Sequence, residues 1–169
     1  MRLFLALMPP SELRQRLGEL ADAAHARCGG RRMPDDNLHL TLAFLGEVGE
    51  AQASELADWV GGQRIEPGRW HIDRWGCFRR PGIVWVGGGP HPALSRLQEA
   101  LWGTLETLGL GGRPARFVPH VTLLRRAATF ERQGLPDVAL AWSYNQIALI
   151  QSIIDDRGAR YQALAESQN

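Results

Sequence analysis

Two short runs of the sequence repeat the order histidine, aliphatic residue, threonine, leucine. The first is His39-Leu40-Thr41-Leu42 and the second is His120-Val121-Thr122-Leu123, which puts the two histidines 81 residues apart in a chain of 169. Side chains in a strand alternate between its two faces, so each histidine shares a face with its threonine while the aliphatic residues face the core. Each run therefore predicts a strand that presents an imidazole beside a hydroxyl.

Two imidazoles and two hydroxyls that meet in one cleft are suited to acid–base chemistry on a phosphate. The ordinary pKa of histidine is about 6.5, so one imidazole can donate a proton while the other accepts one near neutral pH. The hydroxyls of Thr41 and Thr122 are donors that can stabilise the charge on the phosphate oxygens in the transition state. The pattern predicts opening of a cyclic phosphate without a metal or other cofactor.

The repetition of the motif is what makes it informative. A single His-x-Thr triplet would be weak, because most single histidines in sheets have a structural role. Two copies in matching strands favour a shared site instead. The remaining histidines, His25, His71 and His91, have no such partner, and we assign them to structural or surface roles.

The surrounding pattern predicts strands and helices that would position both motifs. Strands are expected at residues 2–8, 38–45, 120–124 and around 143–152, with a hairpin formed by 70–78 and 83–86. A last strand is expected to follow a turn at 155–158 and to end at Leu164. Helices are expected from an N-cap at Ser11 to Gly29, over 51–60, and from Pro92 to Gly109. The fold class is α+β, a single domain over residues 1–169. Its two pseudo-symmetric lobes are duplicated units of antiparallel sheet with flanking helices around a central cleft.

Composition limits the function classes. Every one of the 19 basic residues is arginine. Because the net charge is only +1, the chain lacks the overall positive charge of a protein that coats nucleic acid. Two cysteines without metal spacing and no apolar run long enough for a membrane or signal segment predict a cytoplasmic protein that does not contact membranes. We expect it to act as a monomer.

The sequence resembles the two-histidine phosphoesterases, and among them the bacterial and archaeal RNA 2',3'-cyclic phosphodiesterases once named 2'-5' RNA ligases. The resemblance covers nearly the whole chain. It rests on Arg2-Leu3-Phe4, on residues 37–46, 80–85 and 117–125, and on a tail with Ser152 and Tyr161.

This resemblance implies a substrate and residue roles. The substrate is RNA or an oligonucleotide with a 2',3'-cyclic phosphate end, the product is a 2'-phosphomonoester, and the side reaction joins ends through a 2'-5' linkage. By resemblance His39 is the proton donor and His120 the proton acceptor. Arg125 is expected to bind the phosphate, and Phe4 is expected near the cleft, either stacking on a base or packing in the core.

Strand alternation alone places several neighbours away from the cleft. It puts Arg125 on the face opposite His120, so that Arg125 reaches the cleft only if the strand has twisted or ended. It puts Phe44 on the core face with Leu40. The basic pairs 31–32 and 125–126 either flank the cleft or belong to solvated surface, and solvated surface is the preferred assignment.

Two other function classes remain open from the residues. A nucleotide- or RNA-binding module of the same fold would need no facing acid and base. A metallohydrolase with both motif histidines as ligands would need further ligands at suitable spacing, and neither motif supplies one. Resistance to chelators separates the metal-dependent class from the others.

Overall fold

The structure of the protein, a computed structural model, describes residues 1–169 and contains three α-helices and ten β-strands. The helices are α1 (Ser11–Cys28), α2 (Glu50–Gly62) and α3 (Pro92–Thr107). The strands are β1 (Arg2–Leu7), β2 (Arg31–Arg32), β3 (Leu40–Glu47), β4 (Gly68–Ile72), β5 (Arg74–Phe78), β6 (Ile83–Gly87), β7 (His120–Arg125), β8 (Leu140–Tyr144), β9 (Ala148–Asp155) and β10 (Gly158–Glu166). The predicted α+β class is confirmed.

Eight of the strands form one antiparallel sheet that narrows at its middle. The order is β10-β9-β1-β3-β7-β6-β5, with β2 also paired to β7, while β4 and β8 form a separate two-stranded sheet. The central strands β3 and β7 pair through a single residue couple, Leu40 with Val121. The sheet therefore divides into two lobes that meet at this couple.

The lobes repeat one strand–helix–strand unit, and their helices cross between them. The units are β1-α1-β3 and β6-α3-β7, each with its two strands paired antiparallel. Helix α1 contacts β7 of the other unit, and α3 contacts β3 of the other unit. Buried residues such as Leu17 on α1 and Leu101 on α3 accordingly belong to one core cluster of 37 residues.

The helix ends differ in how their free amides are satisfied. Helix α1 starts at Ser11 directly after Pro10, with no side-chain cap, so the prediction of Ser11 as N-cap is wrong by one position. At α3 the Nδ1 atom of His91 accepts a hydrogen bond from the Leu94 amide at 3.3 Å. The structural role expected for His91 is confirmed.

Two of the predicted strands are each divided into two strands in the structure. The run 70–78 is divided at Asp73 into β4 and β5, and 143–152 is divided into β8 and β9. In each case one part joins the small β4–β8 sheet and the other joins the large sheet. Periodicity reports that a segment is extended but not which sheet it pairs with, and this is why the divisions were missed.

Candidate active site

The four motif side chains meet where the lobes join. Leu40 pairs antiparallel with Val121, and extending that register by one residue sets His39 opposite Thr122 and Thr41 opposite His120. Leu40 and Val121 are fully buried, whereas the four polar residues are partly exposed. The predicted alternation is confirmed, and one face of the junction carries two imidazoles and two hydroxyls.

Each imidazole is held by the same backbone contact. Nδ1 of His39 donates to the Asn37 carbonyl and Nδ1 of His120 donates to the Val118 carbonyl, both at 2.7 Å. With the proton on Nδ1, the Nε2 atom of a neutral imidazole is an acceptor. In His39 it accepts from the Thr41 hydroxyl at 2.7 Å, while in His120 it has no protein partner. Both rings therefore offer Nε2 as the reactive atom.

Aromatic rings pack against both histidines. The His39 ring lies 4.8 Å from Phe4 and 5.4 Å from Tyr161, measured between ring centroids. The His120 ring lies 5.1 Å from Phe78 and 5.9 Å from Trp85. Such packing fixes the planes of the imidazoles and removes water from around them, which prepares the site for one proton-transfer geometry.

Burial sets the protonation state of the two histidines. It lowers the pKa of His39 to about 4, against the opposing effect of the Nδ1 hydrogen bond to Asn37. Burial also lowers the pKa of His120, and the positive charge of Arg125 acts in the same direction on both rings. The charged form is disfavoured because a buried cation loses its hydration. Both histidines are consequently neutral near pH 7 until an anion enters.

Arg125 reaches the cleft because β7 contains a β-bulge. Val84 pairs with Leu124 and Trp85 with Thr122, which leaves Leu123 as an extra residue. Leu123 and Leu124 are both buried, so the alternation shifts by one and Arg125 returns to the face of the motif side chains. Strict alternation, which put Arg125 on the other face of the strand from His120, is therefore wrong at this position. Arg125 lines the cavity beside His39.

The same irregularity in β3 corrects the assignment of Phe44. Leu5 pairs with Ala43 and Ala6 with Thr41, which leaves Leu42 unpaired in the register. Phe44 is therefore turned away from the core and is 49% exposed, so the prediction that it packs inside is wrong. The guanidinium of Arg2 lies 4.9 Å from the centre of its ring, a cation–π contact.

A cavity of about 380 Å³ opens from His39 toward the β9–β10 turn. Ser152 and Tyr161, quoted above for the family resemblance, both line it. Arg31 lines it as well while remaining exposed, so this member of the basic pair 31–32 lies on the surface and flanks the cleft. Arg2 and Arg157 complete the basic lining, and sequence reasoning gave them no role, because they come from separate elements that only the fold brings together.

Other kinds of site find less support among the side chains. No group of three or more histidine, cysteine, aspartate or glutamate side chains is arranged to hold a metal ion. Cys28 and Cys77 are not joined in a disulfide. None of the helices is both long enough and apolar enough to span a lipid bilayer.

Comparisons with known proteins agree on one group of relatives. The family model described as LigT like Phosphoesterase matches residues 7–85. The RNA 2',3'-cyclic phosphodiesterase of Aeropyrum pernix is 33% identical over 89% of this chain and 93% of its own length. The enzyme of the same name from Thermus thermophilus is 34% identical over 97% of this chain and 88% of its own.

Solved structures show the same likeness in three dimensions. Escherichia coli LigT complexed with 3'-AMP superposes with a TM-score of 0.83 and 32% identity, covering 98% of this chain and 95% of that chain. The apo form of the same protein gives a TM-score of 0.82, covering 99% of this chain and 98% of that chain. The bilobed fold around a cleft is thus shared over nearly the full length.

Proposed function

The chain belongs to the LigT-like phosphoesterase family of RNA 2',3'-cyclic phosphodiesterases, and we propose that it opens 2',3'-cyclic phosphates at RNA ends by acid–base catalysis between His39 and His120. The observation that carries this mechanism is the single-couple junction at Leu40 and Val121. It sets two fixed imidazoles on one face, with Nε2 of His120 free of protein partners and Nε2 of His39 bonded to the Thr41 hydroxyl. An acid and a base on one face are what an in-line displacement at phosphorus requires.

The proposed reaction assigns one proton transfer to each ring. Nε2 of His120 removes a proton from water, whose oxygen forms a bond to phosphorus. The bond from phosphorus to the 3' oxygen breaks, and Nε2 of His39 donates a proton to that oxygen, leaving a 2'-phosphomonoester. Nε2 of His120 has no hydrogen-bond partner within the protein, which supports its role as base. The same displacement with a 5'-hydroxyl in place of water would form a 2'-5' linkage.

The acid must gain its proton when the substrate binds. Burial lowers the pKa of His39 to about 4, so the free enzyme holds this ring neutral near pH 7. A cyclic phosphate carries one negative charge, and an anion beside an imidazole favours the imidazolium. Substrate binding and protonation of His39 are therefore coupled in this mechanism.

The remaining site residues are assigned to charge stabilisation and support. Thr41, Thr122 and Arg125 are proposed to bind the phosphate oxygens, with the hydroxyls acting as transition-state donors. Phe4 is 4% exposed and packs on His39. Base stacking by Phe4 stays a prediction, and its burial favours a role in holding the imidazole.

We also propose that the protein acts as a monomer in the cytoplasm. One chain supplies both histidines and both threonines of the cleft, so catalysis needs no second subunit. The two cysteines are not joined in a disulfide, which fits a reducing compartment. Sedimentation of the purified protein and fractionation of the producing cell test these two points.

The decisive experiment measures hydrolysis of a short RNA with a 2',3'-cyclic phosphate end in excess EDTA. Wild type, His39→Ala and His120→Ala are compared, and the position of the product phosphate is identified. His71→Gln is the matched control, because His71 is exposed and lies outside the cleft. We expect chelator-resistant cleavage to the 2'-phosphate, lost in either cleft variant and kept in the control.

Other outcomes would identify the competing functions. Binding of the RNA without cleavage by wild type would favour a binding module. Cleavage that is abolished by EDTA and restored by a divalent metal would favour a metallohydrolase. A 3'-phosphate product would contradict the proposed leaving group.

A further inference from the structure

The cavity beside His39 has an unusual charge composition. Its lining contains six ionisable side chains, and none of them is an aspartate or a glutamate. Two are His39 and Tyr161, and the other four are arginines, namely Arg2, Arg31, Arg125 and Arg157. The chain as a whole has 18 acidic residues and a net charge of only +1. The positive charge is therefore concentrated at this one cavity, where it favours a ligand that carries more than one negative charge.

None of these four arginines has a carboxylate partner. Some arginines elsewhere in the molecule do, such as Arg32 with Asp22 and Asp35, and Arg132 with Asp137, each at 2.7 Å. The guanidinium groups around the cavity thus keep their donors free. Planar guanidinium groups match the oxygens of a phosphate in pairs, which makes phosphate the ligand chemistry that fits best.

Arg31 crosses the cavity from one lobe to the other. It lies in β2, paired with Arg125 of β7, and its guanidinium packs over Gly158 in the β9–β10 hairpin of the opposite lobe. Gly158 has a φ of +109°, and a Cβ added there would lie 2.2 Å from a guanidinium nitrogen of Arg31. The lack of a side chain at Gly158 therefore leaves room for Arg31. The Arg31 guanidinium then lies beside Arg157, the residue before Gly158 in the same turn.

Only one of the four arginines, Arg125, is needed to bind the phosphate that reacts. Arg125 is close enough to both histidines that its charge lowers the pKa of each. The guanidinium of Arg2 lies instead over the Phe44 ring, while that of Arg31 lies over Gly158, next to Arg157. Arg2, Arg31 and Arg157 thus surround the part of the cavity that lies away from the site of bond breaking.

The cavity offers space for the rest of the nucleotide on the His39 side. The rings of Phe78 and Trp85 pack on the His120 imidazole. On the other side the cavity extends from His39 past the β9–β10 turn. A ribose held at the reacting phosphate can extend its 5' group into this cavity, toward the free arginines.

Resting on the proposed function, we propose that Arg2, Arg31 and Arg157 bind the 5'-phosphate of the nucleotide whose cyclic phosphate is opened. In an RNA strand that group is the phosphodiester joining the terminal nucleotide to the one before it. In a small nucleotide it is a terminal phosphate. The protein then selects substrates that carry both a 2',3'-cyclic phosphate and a 5'-phosphate on one ribose. It acts poorly on a nucleoside 2',3'-cyclic phosphate without a 5'-phosphate.

The test compares three substrates by kcat/KM at pH 7: adenosine 2',3'-cyclic phosphate, its 5'-phosphorylated form, and the dinucleotide ApA ending in a 2',3'-cyclic phosphate. A lost charge-assisted contact typically costs about tenfold or more, so we expect at least about a tenfold advantage for the 5'-phosphorylated substrate. Arg31→Gln and Arg157→Gln should each reduce that ratio. Arg160→Gln, an exposed neighbour in β10 outside the cavity lining, should keep it.

The two sources of the second phosphate are separated by the dinucleotide. An advantage shared by ApA assigns the site to an RNA strand, while an advantage confined to the terminal 5'-phosphate assigns it to small nucleotides. Equal kcat/KM for all three substrates, or a ratio unchanged in both cavity variants, would overturn the inference.

A binding measurement keeps this inference separate from the proposed catalysis. Calorimetry compares adenosine 2',5'-bisphosphate with adenosine 2'-monophosphate, and neither ligand needs to be hydrolysed. Tighter binding of the bisphosphate, lost in Arg31→Gln and Arg157→Gln, supports the 5'-phosphate site even if the cyclic phosphates are not cleaved. Equal affinity for the two ligands would contradict the site even if cleavage proceeds.

Discussion

Phe44 and Arg125 occupy equivalent positions in the two lobes. Each is the third residue after a motif threonine, and each follows a β-bulge at a leucine that turns it from the core to the cleft. The backbone of the duplicated unit is therefore conserved between the lobes at this point while the side-chain chemistry differs. One lobe presents a cation to the phosphate and the other presents an exposed aromatic ring.

This relationship predicts that Arg125 is needed for catalysis in a way that its neighbour is not. Arg125→Gln removes a cation beside both histidines, and a charge-assisted contact of about 1.5–3 kcal/mol corresponds to a loss of about 10- to 100-fold in kcat/KM. The comparison is Arg126→Asn, since Arg126 has a φ of 54°, a conformation that asparagine tolerates. Equal activity of the two variants would remove Arg125 from the phosphate site.

Much of the site was predictable from sequence because it depends on local alternation. The histidine and threonine of each motif share a face in any regular strand, and the duplication of the motif predicted the two-lobed α+β fold. Arg125 and Phe44 escaped this reasoning because a β-bulge adds one residue and reverses the alternation after it. No residue type marked the bulges, since Leu42 and Leu123 look like ordinary core leucines.

The cavity arginines were out of reach for a different reason. Arg2, Arg31 and Arg157 come from β1, β2 and the β9–β10 turn, which are distant in sequence and become neighbours only through the order of strands in the sheet. A one-dimensional pattern contains no statement about that order. The division of residues 70–78 between two sheets was missed for the same reason.

The crossing of α1 and α3 between the lobes predicts that the chain unfolds as one unit. Leu17→Ala in α1 and Leu101→Ala in α3 each remove a buried side chain, at a cost of about 2–5 kcal/mol. Because both helices pack on the strand of the other unit, each variant should lower the midpoint of one shared urea transition. Far-ultraviolet circular dichroism and tryptophan fluorescence should give the same curve. Two separated transitions, only one of them shifted by each variant, would show independent domains.

Burial of His39 predicts a loss of stability in mild acid. Its pKa is about 4 in the folded protein and about 6.5 in the unfolded chain, so between these values the unfolded state binds the extra proton. Titration of His39 therefore leaves the free energy of unfolding unchanged above pH 6.5 and lowers it as the pH falls from 6.5 toward 4. At pH 4.5 the wild-type free energy of unfolding should have fallen by about 2–3 kcal/mol on account of this residue.

Urea denaturation at pH 7 and pH 4.5 measures this effect. His39→Gln lacks the titrating group, so its loss between the two pH values should be smaller than that of wild type. Titration of carboxylates contributes to both proteins and cancels in the comparison. Parallel losses in the two proteins would mean that His39 is not held neutral by burial in the folded state.

The assignment of acid and base predicts opposite responses to a better leaving group. In the natural substrate the 3' oxygen leaves as an alkoxide and needs a proton, whereas a 3' sulfur leaves readily as a thiolate, since thiols ionise near pH 8.5. His39→Ala should therefore lose about 10²- to 10⁴-fold on the oxygen substrate and much less on a 2',3'-cyclic phosphate with sulfur at the 3' bridging position. His120→Ala, which cannot activate water, should be impaired on both.

The comparison is informative because two features of the site bear on which histidine is the base. The depressed pKa of His39 would by itself suit a base, while the unpartnered Nε2 of His120 suits that same role on geometric grounds. We favour His120 as base because an anionic substrate restores the proton of His39 on binding. Rescue of His120→Ala, rather than His39→Ala, by the 3' sulfur would exchange the two assignments and leave the rest of the mechanism unchanged.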